Sequence, residues 1–195
     1  MAVAERPEAH LNLSGFYLRQ GKTKDAEAAL QTALRLDPRN VPARVNLADV
    51  YRAEGRDADG ERVLREAIGI EPGAAEATHA LGLLCVREKR QAEALGLFRR
   101  AYELQPGVAR YGYVYAIGLQ SSGDIAKAID VLEAVHTSRP TDVDTLAALA
   151  TFERDRGNLS AAIGWADKLV RLRPEDAGAR SLLTQLKNVV AATRR

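Results

Sequence analysis

Apolar residues recur three and four positions apart along most of the chain, and polar breaks separate the runs at regular intervals. Between Val41 and Pro72, one run carries Val45, Leu47, Ala48 and Tyr51, and the next carries Val63, Leu64, Ala67, Ile68 and Ile70. That spacing puts the apolar positions on one face of an α-helix. Gly55 lies in the break, where it can close a helix in the left-handed conformation. Asp57 follows as an expected N-cap, and Asp124 and Asn158 take the same role in later breaks. Pro72 cannot continue a hydrogen-bond ladder, so it ends the second run. The stretch predicts two helices joined by a tight turn.

The pattern then repeats. Prolines stand at Pro38, Pro72, Pro106, Pro140 and Pro174, and the step from each to the next is the same. That step is the period of the chain. A small residue precedes each proline by twelve positions: Ala26, Gly60, Ala94, Ala128 and Ala162. Leu13, Leu47, Leu81, Tyr115 and Leu149 keep the same beat, each followed by a small residue. The turn glycine recurs as Gly21, Gly55, Gly123 and Gly157, with Lys89 in its place in the third repeat. The fourth repeat is the least regular, through Gly112, Val135 and Ser138. One such hairpin cannot bury its own apolar face, so neighbours must stack into a continuous core.

These residues resemble the tetratricopeptide repeat (TPR) family. The second repeat reads Arg44, Leu47-Ala48, Tyr51, Gly55, Gly60, Leu64, Ala67, Pro72, and the third reads Thr78, Leu81-Gly82, Cys85, Lys89, Ala94, Phe98, Ala101, Pro106. The family's frequent Trp at the first of these places is absent. The resemblance implies an all-α fold, an α-α superhelix (solenoid) of five helical hairpins plus a C-terminal capping helix. The expected boundaries are a tail at 1–6, repeats at 7–40, 41–74, 75–108, 109–142 and 143–176, and the cap at 177–195. In the cap, Leu182, Leu183, Leu186 and Val190 lie at helical spacing, ringed by Arg180, Gln185, Lys187, Arg194 and Arg195. Val189 widens the stripe, either as part of the core face or as a docking edge for another copy.

Composition narrows the chemistry. A net charge of +2 argues against a polyanion-binding surface, so no nucleic-acid partner is expected. The single cysteine, Cys85, allows neither an internal disulfide nor a cysteine-ligated zinc site. No window approaches the roughly 18 consecutive apolar residues of a membrane span, so no membrane partner is expected either. Met1–Arg6 lacks the apolar segment of a signal peptide. The chain as given therefore reads as cytoplasmic, and if it belongs to a longer protein any targeting signal lies elsewhere.

No catalytic constellation is evident, and neither an enzyme activity nor a cofactor is expected. His10, His79 and His136 are not three or four residues from one another, so the helical zinc spacing is missing. His10 and His136 read as packing or surface residues. Cys85 falls in the column of Tyr17 and Tyr51, which reads as a buried thiol rather than a reactive one. Acidic residues such as Glu153 and Asp155 read as solvated charge on helix surfaces.

The family resemblance implies that the first helix of each hairpin, helix A, lines a concave face where partner peptides lie extended. On this chain the implied peptide-binding residues are Asn12, Asn46, Asp49, His79, Leu83, Arg87, Tyr113 and Ile117. Asn12 and Asn46 suit a bidentate grip on a peptide backbone. Leu83, Tyr113, Val114 and Ile117 form an apolar middle, either open to a ligand or consumed in packing. Arginines near the helix ends suit either an acidic partner or the helix dipole. One subfamily grips the C-terminal carboxylate of heat-shock chaperones with Lys, Asn and Arg. Here Asn46 matches its middle Asn, but Leu11, Gly15, Glu76 and Ala80 stand at the other places, which disfavours that ligand. The Arg110–Leu119 stretch, with alternating Tyr111, Tyr113 and Tyr115, resembles C-terminal repeat arrays of larger bacterial proteins, some of them exported and cytochrome-fused. No haem-attachment motif is present. The implied function is a non-catalytic scaffold for a protein or peptide partner, with an oligomerising module, or the interaction domain of a larger, exported or cytochrome-fused bacterial protein, as the alternatives.

Overall fold

A computed structural model describes residues 6–193. Of the expected tail only Arg6 is placed, and Arg194 and Arg195 of the cap also lie outside the described residues. Among the described residues there are eleven helices: α1 (Pro7–Arg19), α2 (Thr23–Leu36), α3 (Val41–Ala53), α4 (Asp57–Ile70), α5 (Ala75–Arg87), α6 (Gln91–Leu104), α7 (Ala109–Ser121), α8 (Ile125–Ser138), α9 (Val143–Asp155), α10 (Leu159–Leu172) and α11 (Ala177–Thr193). No strand occurs among them. The starts of the odd-numbered helices keep the spacing of the prolines, and so do those of the even-numbered ones, so the sequence period is the structural period.

The punctuation is set by local chemistry. Gly21, Gly55, Gly123 and Gly157 have φ between 72° and 91°, and Lys89 takes the same left-handed turn at φ 62°. Each turn carries the paired hydrogen bonds of a Schellman cap. In the second repeat these run from Arg56 N–H to Tyr51 O (2.8 Å) and from Gly55 N–H to Arg52 O (3.2 Å). Asp37, Glu71, Arg139 and Arg173, each before a periodic proline, are extended or nearly so, as at Asp37 (φ −135°, ψ 94°), which stops their helices before Pro can clash. Asp124 and Asn158 cap α8 and α10 by accepting from the N–H groups of Lys127 and Ala161. Asp57 corrects the expectation. Arg56 holds the cap place and makes no side-chain cap bond, while Asp57 is the first helical residue and turns to Arg87.

The chain divides into two compact units, one ending at Leu104 and one starting at Gln105. In the N-terminal unit, α1 pairs with α2, α3 with α4 and α5 with α6, while α2 packs on α3 and α4 on α5. In the C-terminal unit, α7 pairs with α8, α9 with α10, α8 packs on α9, and α11 covers α10. The recurring small residues sit where helices approach most closely. A Cβ on Gly60 would stand 3.4 Å from Leu84 Cδ1 and 3.6 Å from the Ala48 carbonyl oxygen. Leu30, Leu64, Leu81, Ile129, Leu132 and Leu149 fill the core.

Periodicity and burial part company in two columns. Leu36, Leu104 and Leu172, each two residues before a proline, are about 40% exposed. Glu153, read as solvated, is 2% exposed and receives both Arg156 Nε and Nη2 at 2.8 Å. It stands one period after Leu119 and thus in the column of Tyr17, Tyr51 and Cys85, whose carbonyls accept the closing bonds of the Schellman turns. Asp155, on the other face, is exposed as expected.

Candidate functional site

α3, α5 and α9 each touch even-numbered helices on two sides, which leaves each a narrow open strip, and α1 and α7 present the corresponding strip beside their pairings with α2 and α8. In the N-terminal unit that strip exposes Asn12 on α1 and Asp49 on α3, with Asn46 half-buried beside it. Asp49 is engaged by Arg52 at 2.9 Å. Leu83 on α5 is half-buried, so part of its side chain remains open to solvent. Arg87 is exposed but tied to Asp57 of α4, which draws it to the turn end of the helix.

His79 is placed differently from the expectation. It is 5% exposed, and its ring lies 5.6 Å from that of Phe98 on α6. It therefore belongs to the interior of the α5–α6 hairpin rather than to the open strip. Val45, its counterpart on α3, is likewise buried at 4%. In the N-terminal unit that column is thus spent on packing at Val45 and His79, whereas Tyr113, one period after His79, is half-buried.

In the C-terminal unit, Tyr113 and Ile117 are both half-buried on α7. Tyr113 lines a hollow of about 370 Å³ with Ala109, Arg110, Val114, Asp142 and Asp144. The hollow joins an apolar floor to one guanidinium and two carboxylates, a mixture able to hold a side chain and to grip polar groups beside it. Asp142 is partly committed, since its carboxylate caps α9 by accepting from Thr145 N–H at 2.8 Å. The two acids missed by the sequence reading come from the α8–α9 turn and the first turn of α9. Asp144 stands one period after Arg110, which lines the same hollow.

The remaining reactive side chains are engaged elsewhere. Cys85 is fully buried, and Arg90 Nη2 donates to its Sγ at 2.9 Å. Burial pushes the thiol pKa up, and the neighbouring guanidinium offsets this only in part. His136 packs edge-on against Trp165, with ring centroids 4.9 Å apart. Among the described residues no group of three or more His, Cys, Asp or Glu could hold a metal ion, and no helix is long and apolar enough to cross a membrane.

The profile of the tetratricopeptide repeat matches residues 17–84 and again 119–186, more than half of the chain. The chain belongs to the tetratricopeptide repeat family. No curated protein matches this TPR chain in sequence. Among solved structures it is similar to pilF of Pseudomonas aeruginosa, with a TM-score of 0.81 and 21% identity over 95% of this chain and 84% of that one. It is similar to MamA, with a TM-score of 0.72 and 21% identity over 85% and 96% of the two chains. It is also similar to YrrB, described as a TPR protein with an unusual peptide-binding site, with a TM-score of 0.69 and 19% identity over 92% and 90%. At these identities the likeness is one of fold, and it is that of TPR solenoids.

Proposed function

We propose that this TPR protein is a non-catalytic scaffold that holds an extended segment of a protein partner along the open strips of its odd-numbered helices. The hollow beside Tyr113 carries the reading, because it combines apolar depth with charged groups that can orient a bound chain. Asn12 and Asn46 supply amide groups at accessible places, and an extended peptide has unpaired N–H and C=O groups to offer them. Asp49, Leu83, Arg87 and Ile117 line the same strips. His79 supports this surface from beneath through its packing on Phe98. Family membership and the peptide-binding likeness of YrrB support the same reading. The repeat boundaries proposed for this scaffold are those of the proline period, from 7–40 through 143–176.

The test is an array of extended peptides probed with the chain and with a Tyr113→Ala, Ile117→Ala variant. Loss of the variant's signal on peptides that retain the parent chain is expected. Equal signals from both would overturn the reading. A second reading, association of two copies through α11, draws on Val189, which is 48% exposed there. Sedimentation at rising concentration tests it, and a monomer throughout would rule it out.

A further inference from the structure

Residues one period apart occupy equivalent places on successive odd-numbered helices. In the C-terminal unit, Leu183 and Leu186 of α11 share one apolar cluster with Ala162, Ile163 and Ala166 of the preceding α10. In the N-terminal unit, Leu84 of α5 reaches Gly60 of the preceding α4. The equivalent pairs Leu47 and Val50, Leu81 and Leu84, and Leu149 and Phe152 are all at most 5% exposed. On α1 the equivalent residues are Leu13 and Phe16, and they are 38% and 49% exposed.

The charges around this face follow the same register. Arg87 pairs with Asp57 at the start of α4. Arg90 donates to Glu61, one turn further along α4, at 3.0 and 3.1 Å. Arg56 repeats the second pair with Glu27 of α2 at 2.9 Å. The equivalents at α1 are Arg19 and Lys22, both exposed. Two apolar residues and two cations thus stand together where later repeats of this unit receive an acidic helix.

We propose that the outer face of α1 docks an amphipathic helix of a partner protein, in the place that a preceding even-numbered helix would take. Leu13 and Phe16 form its centre, and Arg19 and Lys22 its charged flank. The face continues the interface that joins α2 to α3 and α4 to α5, and its charges complement the acids those helices carry. The occupant's chemistry is read from α4: an acid in the first turn (Asp57), a small residue three places on (Gly60), a second acid beside it (Glu61), then apolar residues at the places of Leu64 and Ala67.

The probe is a synthetic peptide of residues 57–70. A helix of this length is marginal alone. It is therefore held by an Arg62→Lys substitution cross-linked to Glu66, two exposed places. Fluorescence anisotropy against the full chain is expected to give a saturable isotherm, weakened at least about tenfold by Phe16→Asp. An Arg19→Glu, Lys22→Glu chain is expected to lose the peptide and to regain binding with an Asp57→Lys, Glu61→Lys peptide. Circular dichroism shows whether Phe16→Asp remains folded. If it does not, the charge exchange, which leaves the apolar face intact, decides alone. Absence of binding to the parent chain, or binding indifferent to both alterations, overturns the proposal. A concentration-dependent dimer abolished by Phe16→Asp also overturns it, since the occupant would then be a second copy.

Discussion

Phe98 stands so close to Gly82 that a Cβ on residue 82 would lie 2.5 Å from its Cε1 atom. Two effects of opposite sign meet here. Replacing a helical glycine by alanine ordinarily stabilises by up to about 1 kcal/mol. Overpacking a filled interior costs about 1–3 kcal/mol. Phe98 is 3% exposed and has His79 against its ring, so it has little room to withdraw. Gly82→Ala is expected to destabilise the chain by about 1–2 kcal/mol in urea denaturation. A Gly82→Ala, Phe98→Leu double variant should recover part of the loss. A neutral or stabilising Gly82→Ala would show that the ring yields freely.

Lys89 offers the opposite case. It holds a left-handed turn at φ 62° where the other four repeats use glycine. That conformation costs a residue with a Cβ about 1–2 kcal/mol, against about 0.4–1 kcal/mol of extra unfolded-state entropy for glycine. Lys89→Gly is therefore expected to stabilise by about 0.5–1 kcal/mol, read as a raised urea midpoint at unchanged slope. Lys89→Val should lower it.

The helices were legible in the sequence because glycine and proline act locally. Their even spacing fixes where helices stop, whatever packs around them. The candidate strip was less legible. An odd-numbered helix such as α3, α5 or α9 packs against a helix on two sides, so its apolar pattern runs almost all round and does not say which residues face outward. Asn12 and Asp49 lie in the open, whereas His79 turns inward onto Phe98. Asp57 was misread by one place, since the cap depends on which residue takes the non-helical conformation and not on chemistry alone. The buried Glu153 depended on a partner three residues away. Its column, shared with Tyr17, Tyr51, Cys85 and Leu119, was the signal that an interior place was involved.

That carboxylate yields a further prediction. Glu153 is held by two bonds from Arg156, whose own side chain is 36% exposed. Removing the guanidinium leaves a buried acid without its ion pair. Arg156→Met is expected to cost about 1–2 kcal/mol, less than for a fully enclosed pair because water can reach the vacated place. Adding Glu153→Leu, the residue type of Leu119, should restore most of it. If the double variant is as unstable as the single one, the ion pair is not the reason Glu153 tolerates burial.

His136 gives the chain a defined response to acid. Burial lowers its pKa from 6.5, and the Lys168 cation lowers it further, while Glu133 opposes them. Lys168 is fixed nearby, its Nζ 3.9 Å from the centre of the Trp165 ring on which His136 packs. The imidazole Nδ1 is buried and makes no hydrogen bond. The folded state thus disfavours the charged imidazole, and between the two pKa values the unfolded chain binds more protons. Stability from this group is complete above pH 6.5 and falls as the pH drops below it. Urea midpoints at pH 8, 7, 6 and 5 check the sign when the chain is compared with a His136→Gln variant. The parent should lose stability relative to the variant as the pH falls. A difference that stays flat, or that grows in the parent's favour on acidification, would mean that the imidazole is not held in its neutral form by this packing.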